Sequence, residues 1–390
     1  MDTVITACDF DDYRARVRAF TRQELRALET EVDTSGKVPE HVVARMRELG
    51  LFAVSIPREY GGLGWTLEQQ VLLALEYTQT LAVFRSRMST TTGLASQMIL
   101  ELGTEKQRRQ YLPSMASGEC TGAAAITEPE AGSDAGATQT TATPRGDAYI
   151  INGQKRFITN ASVADVILVL ARTEENTAGH KGTTMFLVPN PYPGLRVIEP
   201  PADEMFAWRG SPTCQIHFED CEVPPAARVG QEGAGLHTAF RGFNHARLTI
   251  AASSVGMSIR MLEEAAAHAV RRRQFGQPIG EFGAIETMLA DMQVKVSAAQ
   301  ALILETARRW DKEGHVPAVA VATAKYFCST IACDVASQAM QILGGDGIVG
   351  GHIVSRLFRD VRVATVAEGS TQILASHIAR DVKRSVRALD

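Results

Sequence analysis

Residues 367–371 read Ala-Glu-Gly-Ser-Thr and enter an apolar-periodic helix carrying Ile373, Leu374, Ile378 and Val382. The basic residues Arg356, Arg359 and Arg362 and the β-branched run from Val361 to Val366 lead into this stretch. Glu368 is therefore expected at a strand-like-to-helix junction, beside Gly369. A carboxylate so placed can act as a general base. It also suits the preference for negative charge near the free N–H groups of a helix start, and taken alone it reads as such a cap.

Four other stretches carry residue types with chemical use. Ala123 to Asp134 reads AAAITEPEAGSD, with the Thr127 hydroxyl following a short apolar strand. Pro129 and Gly132 bend the chain before Ser133 and Asp134, and such a bend can turn successive backbone N–H groups toward an anion or a polar ring edge. Asn152 to Asn160 reads NGQKRFITN. On a regular strand Phe157 and Thr159 share a face, an aromatic beside a hydroxyl, suited to covering a flat cofactor or simply to a sheet core. The other two are RRRQFGQPI (Arg271 to Ile279) and QILGGDG (Gln341 to Gly347).

The elements that must position these residues fall into three blocks. Residues 1–120 read as helical. One helix runs over Asp11 to Glu31, one starts at Pro39 and closes at Gly50, and others span Thr66 to Leu81 and Thr90 to Leu102; Thr104 to Gln107 is a capping box. Residues 121–235 are rich in Thr, Val, Ile, Gly and Pro. Strands are expected over Tyr149–Ile158 (a hairpin turning at Asn152-Gly153), Val163–Ala171, Thr183–Val188, Leu195–Ile198 and Cys214–Phe218, as in a small barrel or sandwich. Residues 236–390 return to helices, over Asn244 to about Arg273, Phe282–Glu313, Val316–Leu343 and the last helix. The fold class is α+β, with an N-terminal helical domain, a middle β-domain and a C-terminal helical bundle.

The 390 residues, 45 % of them hydrophobic, can bury a sizeable core. A net charge of −4 without a basic block argues against nucleic acid as a partner. Cys8, Cys120, Cys214, Cys221, Cys328 and Cys333 form no CxxC pair and read as reduced thiols of a cytoplasmic protein. The histidines do not cluster, so no metal site is expected. The N-terminus lacks a signal pattern, and no apolar run reaches the roughly 18 residues of a bilayer span.

Taken together and in register, these five motifs resemble the acyl-CoA dehydrogenase family over essentially the whole chain. The resemblance implies an N-terminal helical domain, a middle β-barrel domain and a C-terminal four-helix bundle, assembled as a homotetramer or at least a dimer, with FAD between the β-domain and the bundle. By matching positions, Thr127 and Thr159 contact the isoalloxazine, Ser133 lies near flavin and thioester, and Phe157 flanks the ring. Arg272 and Phe275 match positions that bind the pyrophosphate and adenosine portion from a neighbouring subunit. Gln341, Gly344 and Gly345 match the other side of that shared site, and Ser370 and Gln372 match further flavin contacts. Glu368 matches the catalytic base that takes the α-proton of an acyl thioester, while the β-hydride passes to flavin N5. With Gly369 it forms the catalytic turn, and in the family the N–H of the base residue helps polarise the thioester carbonyl. Some members carry the base at the position of Ala246, where alanine has no such capacity. Arg247 matches an arginine on the substrate side.

Three departures bear on substrate. Ala367 replaces the usual aromatic before the base. Gly350-Gly351-His352 resembles dehydrogenases of natural-product pathways that act on carrier-bound acyl groups. Phe84 to Thr90 (FRSRMST) resembles the segment of glutaryl-CoA dehydrogenases that binds a distal carboxylate. There Arg85 and Ser89 match the binding positions and, four residues apart, share a helix face. The expected substrate is a short, polar or acidic acyl group on CoA or an acyl-carrier protein, with electron-transfer flavoprotein or another acceptor taking the electrons. Two alternatives stay open: a biosynthetic flavoprotein oxidising a hydroxyacyl or other carrier-bound group, and a catalytically silent flavin-binding protein.

Overall fold

The computed structural model describes residues 9–174, 177, 179–314, 316–349 and 351–387; Cys8 and Gly350 lie outside the described residues. The N-terminal block holds α1 (Phe10–Phe20), α2 (Glu29–Ser35), α3 (Glu40–Glu48), α4 (Leu67–Tyr77), α5 (Ala82–Ser89), α6 (Ser96–Leu102) and α7 (Glu105–Ser117). Thr66 and Thr104 each close a complete capping box, on Gln69 and Gln107, which fixes where α4 and α7 begin. The helix expected from Thr90 already starts at Ala82. Its first amide finds an acceptor that local sequence cannot show: Asp360, 278 residues away, accepts from Ala82 N at 3.0 Å. The same carboxylate accepts from Trp208 N at 2.8 Å, so one buried acid ties together all three blocks. Between α5 and α6, Thr90–Ala95 winds as a π-helix, a local widening often found at functional sites.

The middle block forms one eight-stranded sheet. Its strands are β1 (Gly122–Ala125), β2 (Thr141–Arg145), β3 (Ala148–Thr159), β4 (Val166–Arg172), β5 (Thr183–Pro189), β6 (Leu195–Ile198), β7 (Thr213–Val223) and β8 (Arg228–Val229). The order is β6-β7-β3-β2-β4-β5-β8, with β1 parallel to β4. Two expectations fail here. Asn152-Gly153 is not the hairpin turn; β2 and β3 turn at Gly146-Asp147, and Asn152 lies opposite Thr141 inside the sheet. Asn152 mimics a turn residue because its side chain bonds across the sheet, accepting from Asp220 N at 2.8 Å. Gly153 is required because a Cβ there would lie 2.7 Å from Thr140. Nor does Phe157 alternate regularly with Thr159. The β3–β7 register shifts between Lys155 and Ile158, and Phe157 takes φ 61°, so the ring turns outward and is 59 % exposed.

Next come α8 (Gly235–Arg271), the short hairpin β9 (Arg273–Gln274) and β10 (Gln277–Pro278), and α9 (Gly283–Glu313). The chain ends in α10 (Ala318–Leu343), α11 (Gly345–Ile348), α12 (Ile353–Ala364) and α13 (Thr371–Arg387). The run from Val361 is not strand-like. Val354, Leu357 and Val361 fall on one buried stripe of α12, where helical spacing outweighs β-branched preference. α10 is long and apolar enough to cross a bilayer, but it packs among α8, α9, α12 and α13 in the bundle core. A continuous core joins the N-terminal helices to α8, α9, α10 and α12.

Candidate active site

The turn between α12 and α13 carries Ala367, Glu368, Gly369 and Ser370, all half-buried. Glu368 has φ 56° and Gly369 φ 97°, two successive left-handed residues, the first of them not a glycine. Such a backbone persists only where its surroundings hold it. Two cations do so. Arg247 on α8 donates from Nε to the Glu368 carbonyl at 2.9 Å. Lys325 on α10 donates from Nζ to the Gly369 carbonyl at 2.7 Å. With both carbonyls drawn to one side, the N–H groups of Glu368 and Gly369 donate to no group among the described residues. Glu368 Oε2 is shielded from solvent and likewise has no partner. Burial raises the Glu368 pKa, and Arg85, Lys325 and Arg247 pull it back. Burial pushes Lys325 down to about 8, against the pull of Glu368.

Arg85, on α5, is 2 % exposed. Its Nη2 donates to Thr249 Oγ1 at 3.0 Å, and its Nε has no partner among the described residues. It lines a polar pocket with Gln70, Tyr77, Ser89, His245 and Thr249, closed on the apolar side by Val54 and Leu73. Ser89 turns back to the Ser86 carbonyl at 3.5 Å. The pocket and the Glu368 turn are electrostatically joined through Arg85.

The β-domain closes another side. Thr127 and Thr159 are half-exposed, and neither hydroxyl bonds any of the described residues. Arg156 N donates to the Thr127 carbonyl at 2.8 Å, joining the two motifs. Beneath them Lys155 pairs with Glu128 at 2.7 Å, both buried. Glu128 also accepts from Thr138 Oγ1 and from the amides of Gln139 and Thr140, at 2.8, 2.6 and 3.0 Å. Burial opposes the Glu128 charge, but Lys155 and these donors bring its pKa down to about 2. Asn160, at φ 62°, reaches α5 by donating to the Ser86 carbonyl at 2.7 Å and to Thr90 Oγ1 at 3.0 Å. Ser133 is exposed on the loop after Ala131.

A second group of expected cofactor residues lies elsewhere. Arg272 and Phe275 follow α8, while Gln341, Gly344 and Gly345 end α10, and all are exposed. His268 and Asp346, 4.0 Å apart, mark the meeting of the two helix ends. At about 1.5 Å per residue, Gln341 lies roughly 24 Å along α10 from Lys325, and Arg272 roughly 37 Å along α8 from Arg247. One chain thus carries both groups but does not bring them together. Ser370 and Gln372 lie between them in character, half-buried and exposed, just past the Glu368 turn.

Three family models cover nearly all of the chain: acyl-CoA dehydrogenase N-terminal domain over residues 9–119, middle domain over 123–221 and C-terminal domain over 233–383. The chain belongs to the acyl-CoA dehydrogenase family. It is 35 % identical to the 3-(aryl)acrylate reductase of Clostridium sporogenes, over 95 % of this chain and 97 % of that one. Among solved structures it resembles the prolyl acyl carrier protein oxidase AnaB, with TM-score 0.91 and 26 % identity, covering 96 % of this chain and 98 % of that one. It also resembles the glutaryl-CoA dehydrogenase of Mycobacterium smegmatis, with TM-score 0.89 and 30 % identity, covering 98 % and 96 %. Members of the acyl-CoA dehydrogenase family are FAD-dependent oxidoreductases acting on CH–CH groups. The residues present fit that cofactor: the hydroxyls of Thr127 and Thr159, without a partner among the described residues, and the exposed Phe157 ring are joined through the Arg156 amide on the Thr127 carbonyl.

Sequence reasoning passed over Lys325, His245, Gln70, Thr249 and Asn160. A signal for Lys325 existed. It is the one charge in the AVAVATAKYFCSTIA run that opens α10, and a cation in a run this poor in charge needs a partner if it is buried.

Proposed function

We propose that this protein oxidises the α,β-bond of a short acyl thioester whose tail is polar or acidic, with Glu368 removing the α-proton. The observation that carries the reading is the Glu368 turn itself. It presents one unpartnered, solvent-shielded carboxylate oxygen next to two free N–H groups, held by a cation on each carbonyl. The free N–H of Glu368 or Gly369 is available to the thioester oxygen and would stabilise the charge that develops there. Burial raises the Glu368 pKa, and Arg85, Lys325 and Arg247 oppose that rise and favour the ionised form a base needs. FAD, when bound, accepts the hydride from the β-carbon. Thr127, Thr159 and Phe157 would hold its ring, with Ser133, Ser370 and Gln372 at the edges.

Arg85 is a buried guanidinium without an ion pair among the described residues, an expensive arrangement unless a ligand completes it. This supports a polar or acidic tail, with Ser89 beside it, and Ala367 leaves room near the reacting carbons. The thioester is carried on CoA or a carrier protein, and the electrons leave to electron-transfer flavoprotein or another acceptor. Arg272, Phe275, Gln341, Gly344 and Gly345 lie too far from the base to serve the same flavin in one chain, so they complete the site of a neighbouring subunit. Phe275, 94 % exposed, and the likewise exposed Val270, Ile348 and Val349, which flank these two helix ends in sequence, give apolar surface to bury. The working unit is then a cytoplasmic homotetramer, or at least a dimer, with domains at 1–120, 121–235 and 236–390.

The test is anaerobic bleaching of the purified yellow protein by a panel of acyl thioesters. Glu368→Gln removes the base and keeps the size, and should slow bleaching by about 10²- to 10⁴-fold. Bleaching of the variant at the wild-type rate would show that another group takes the proton.

A further inference from the structure

Asp360 of α12 is buried and has no ion pair among the described residues; the cation beside it, Arg359, pairs with Asp33 of α2 at 2.7 Å. A buried carboxylate without a counter-ion is costly and persists only where its oxygens are otherwise met. Backbone amides meet them here. Oδ2 accepts from Ala82 N at 3.0 Å and Oδ1 from Trp208 N at 2.8 Å. The Asp360 carbonyl also accepts from Trp208 Nε1 at 3.1 Å, so Trp208 is held by backbone and ring in a left-handed conformation, φ 55°. Burial lifts Asp360 to about 6 against the pull of the two amides, with Arg359 helping them and Asp33 opposing, and the group is ionised at pH 7. A carboxylate offers one oxygen to each amide, whereas an asparagine would set its NH2 against one of them.

Asp360 stands between Arg85 and Glu368 along the chain of bonds. On one side, Ala82 is the first residue of α5, and Arg85 lies in the first turn of that helix. Leu81, at the capping position, has no side-chain acceptor, so the entry of α5 is fixed from α12. On the other side, the last turn of α12 runs into the Glu368 loop. That loop is closed by Ala367 N on the Val363 carbonyl at 2.9 Å and Thr371 N on the Thr365 carbonyl at 3.0 Å. A second tie runs through α8, where Thr249 accepts from Arg85 and Arg247 donates to the Glu368 carbonyl. α8 thus holds the tip of the arginine, and Asp360 holds the helix that bears it. We propose that Asp360 is a positioning residue for the base: by fixing the entry of α5 it holds the Arg85 charge where it favours the ionised carboxylate of Glu368. This rests on the reading of Glu368 as base and deepens it. The charges acting on Glu368 are Arg85 from α5, Lys325 from α10 and Arg247 from α8, and His377 of α13 is coupled to Arg247. Asp360 acts on Glu368 only through where Arg85 sits.

The experiment follows the acidic limb of kcat/KM for a butyryl thioester, which brings no charge to Arg85, by anaerobic bleaching of the holoenzyme. Asp360→Asn should move the limb up by about half a pH unit or more, since a close arginine lowers a carboxylate pKa by roughly 1–3. Loss of the Asp360 charge by itself would move the limb down, so the direction separates the two effects. Ala82→Pro tests the same bond from the other side, because it deletes only the donor to Oδ2. Proline suits the first residue of a helix, and Leu81 already has the extended backbone, ψ 137°, that precedes proline. The same rise is expected. In Arg85→Ala the limb should already lie high, and adding Asp360→Asn should leave it there to within about 0.2 pH. A limb that stays in place while flavin content falls shows a structural role only and overturns the inference. So does a limb that moves down, which makes Asp360 itself the titrating group, and so does a rise that persists beside Arg85→Ala. If Asp360→Asn does not fold, Ala82→Pro decides; if neither folds, Asp360 serves stability alone and the inference falls. A wild-type profile without an acidic limb, or Glu368→Gln bleaching at the wild-type rate, sinks the base reading beneath it instead.

Discussion

Lys325 offers the sharpest test of how Glu368, the proposed base, is held. Its Nζ donates to the Gly369 carbonyl at 2.7 Å from within the bundle, and its charge opposes the burial that raises the Glu368 pKa. Two substitutions separate these effects. Lys325→Met removes both hydrogen bond and charge; Lys325→Gln keeps a donor and removes the charge. A hydrogen bond from a charged donor contributes roughly 1.5–3 kcal/mol. About 1.4 kcal/mol is a factor of ten in rate, so loss of the clamp should lower kcat/KM by about 10- to 100-fold in the Met variant. Glu368 must be ionised to act, so activity rises as pH climbs through its pKa. Without the positive charge that holds this pKa down, the acidic limb of the kcat/KM profile should move to higher pH in both variants. The Gln variant should recover part of the plateau rate but not the position of the limb. Flavin content and circular dichroism serve as controls for folding. A Met variant with the wild-type limb and plateau would refute the clamp, and recovery of the limb by Gln would show that charge has no part in it.

Three further outcomes follow from the same geometry. Arg85→Ala should cost turnover of a polar or dicarboxylic thioester at least about tenfold more than turnover of butyryl thioester, because only the former loses a charged partner; equal losses would place Arg85 outside tail recognition. Glu128→Gln leaves Lys155 buried without its counter-ion and should cost roughly 3–5 kcal/mol, seen as a lower urea midpoint and reduced FAD retention as the Thr127 loop loosens. Because the folded-state pKa of Glu128 is depressed to about 2, wild-type stability from this pair should be present above about pH 4.5 and lost as pH falls toward 2; the Gln variant should lack that acid-dependent part in pH-series unfolding.

The parts legible in the sequence were those carried by local chemistry. The capping box at Thr104, the helix start at Thr66, the positions of most strands and the long helices follow from side-chain spacing, because each depends on residues a few positions apart. Glu368, Thr127 and Thr159 could be singled out because several short motifs stand in a fixed order along the chain. Asn152-Gly153 and the run from Val361 misled, the first because a cross-sheet side-chain bond reproduces turn chemistry, the second because burial on a helix overrides β-branched preference. The sequence by itself determined which residue types are available for the proposed chemistry: a carboxylate, two hydroxyls and an arginine, spread over the three blocks. Tertiary structure alone decided that Lys325 and Arg247, from two helices remote in sequence, grip adjacent carbonyls of the Glu368 turn. It alone set Arg85, Gln70 and His245 around one pocket, with Asp360 starting the helix that bears Arg85. Such contacts depend on where whole helices cross, and no local pattern encodes a crossing.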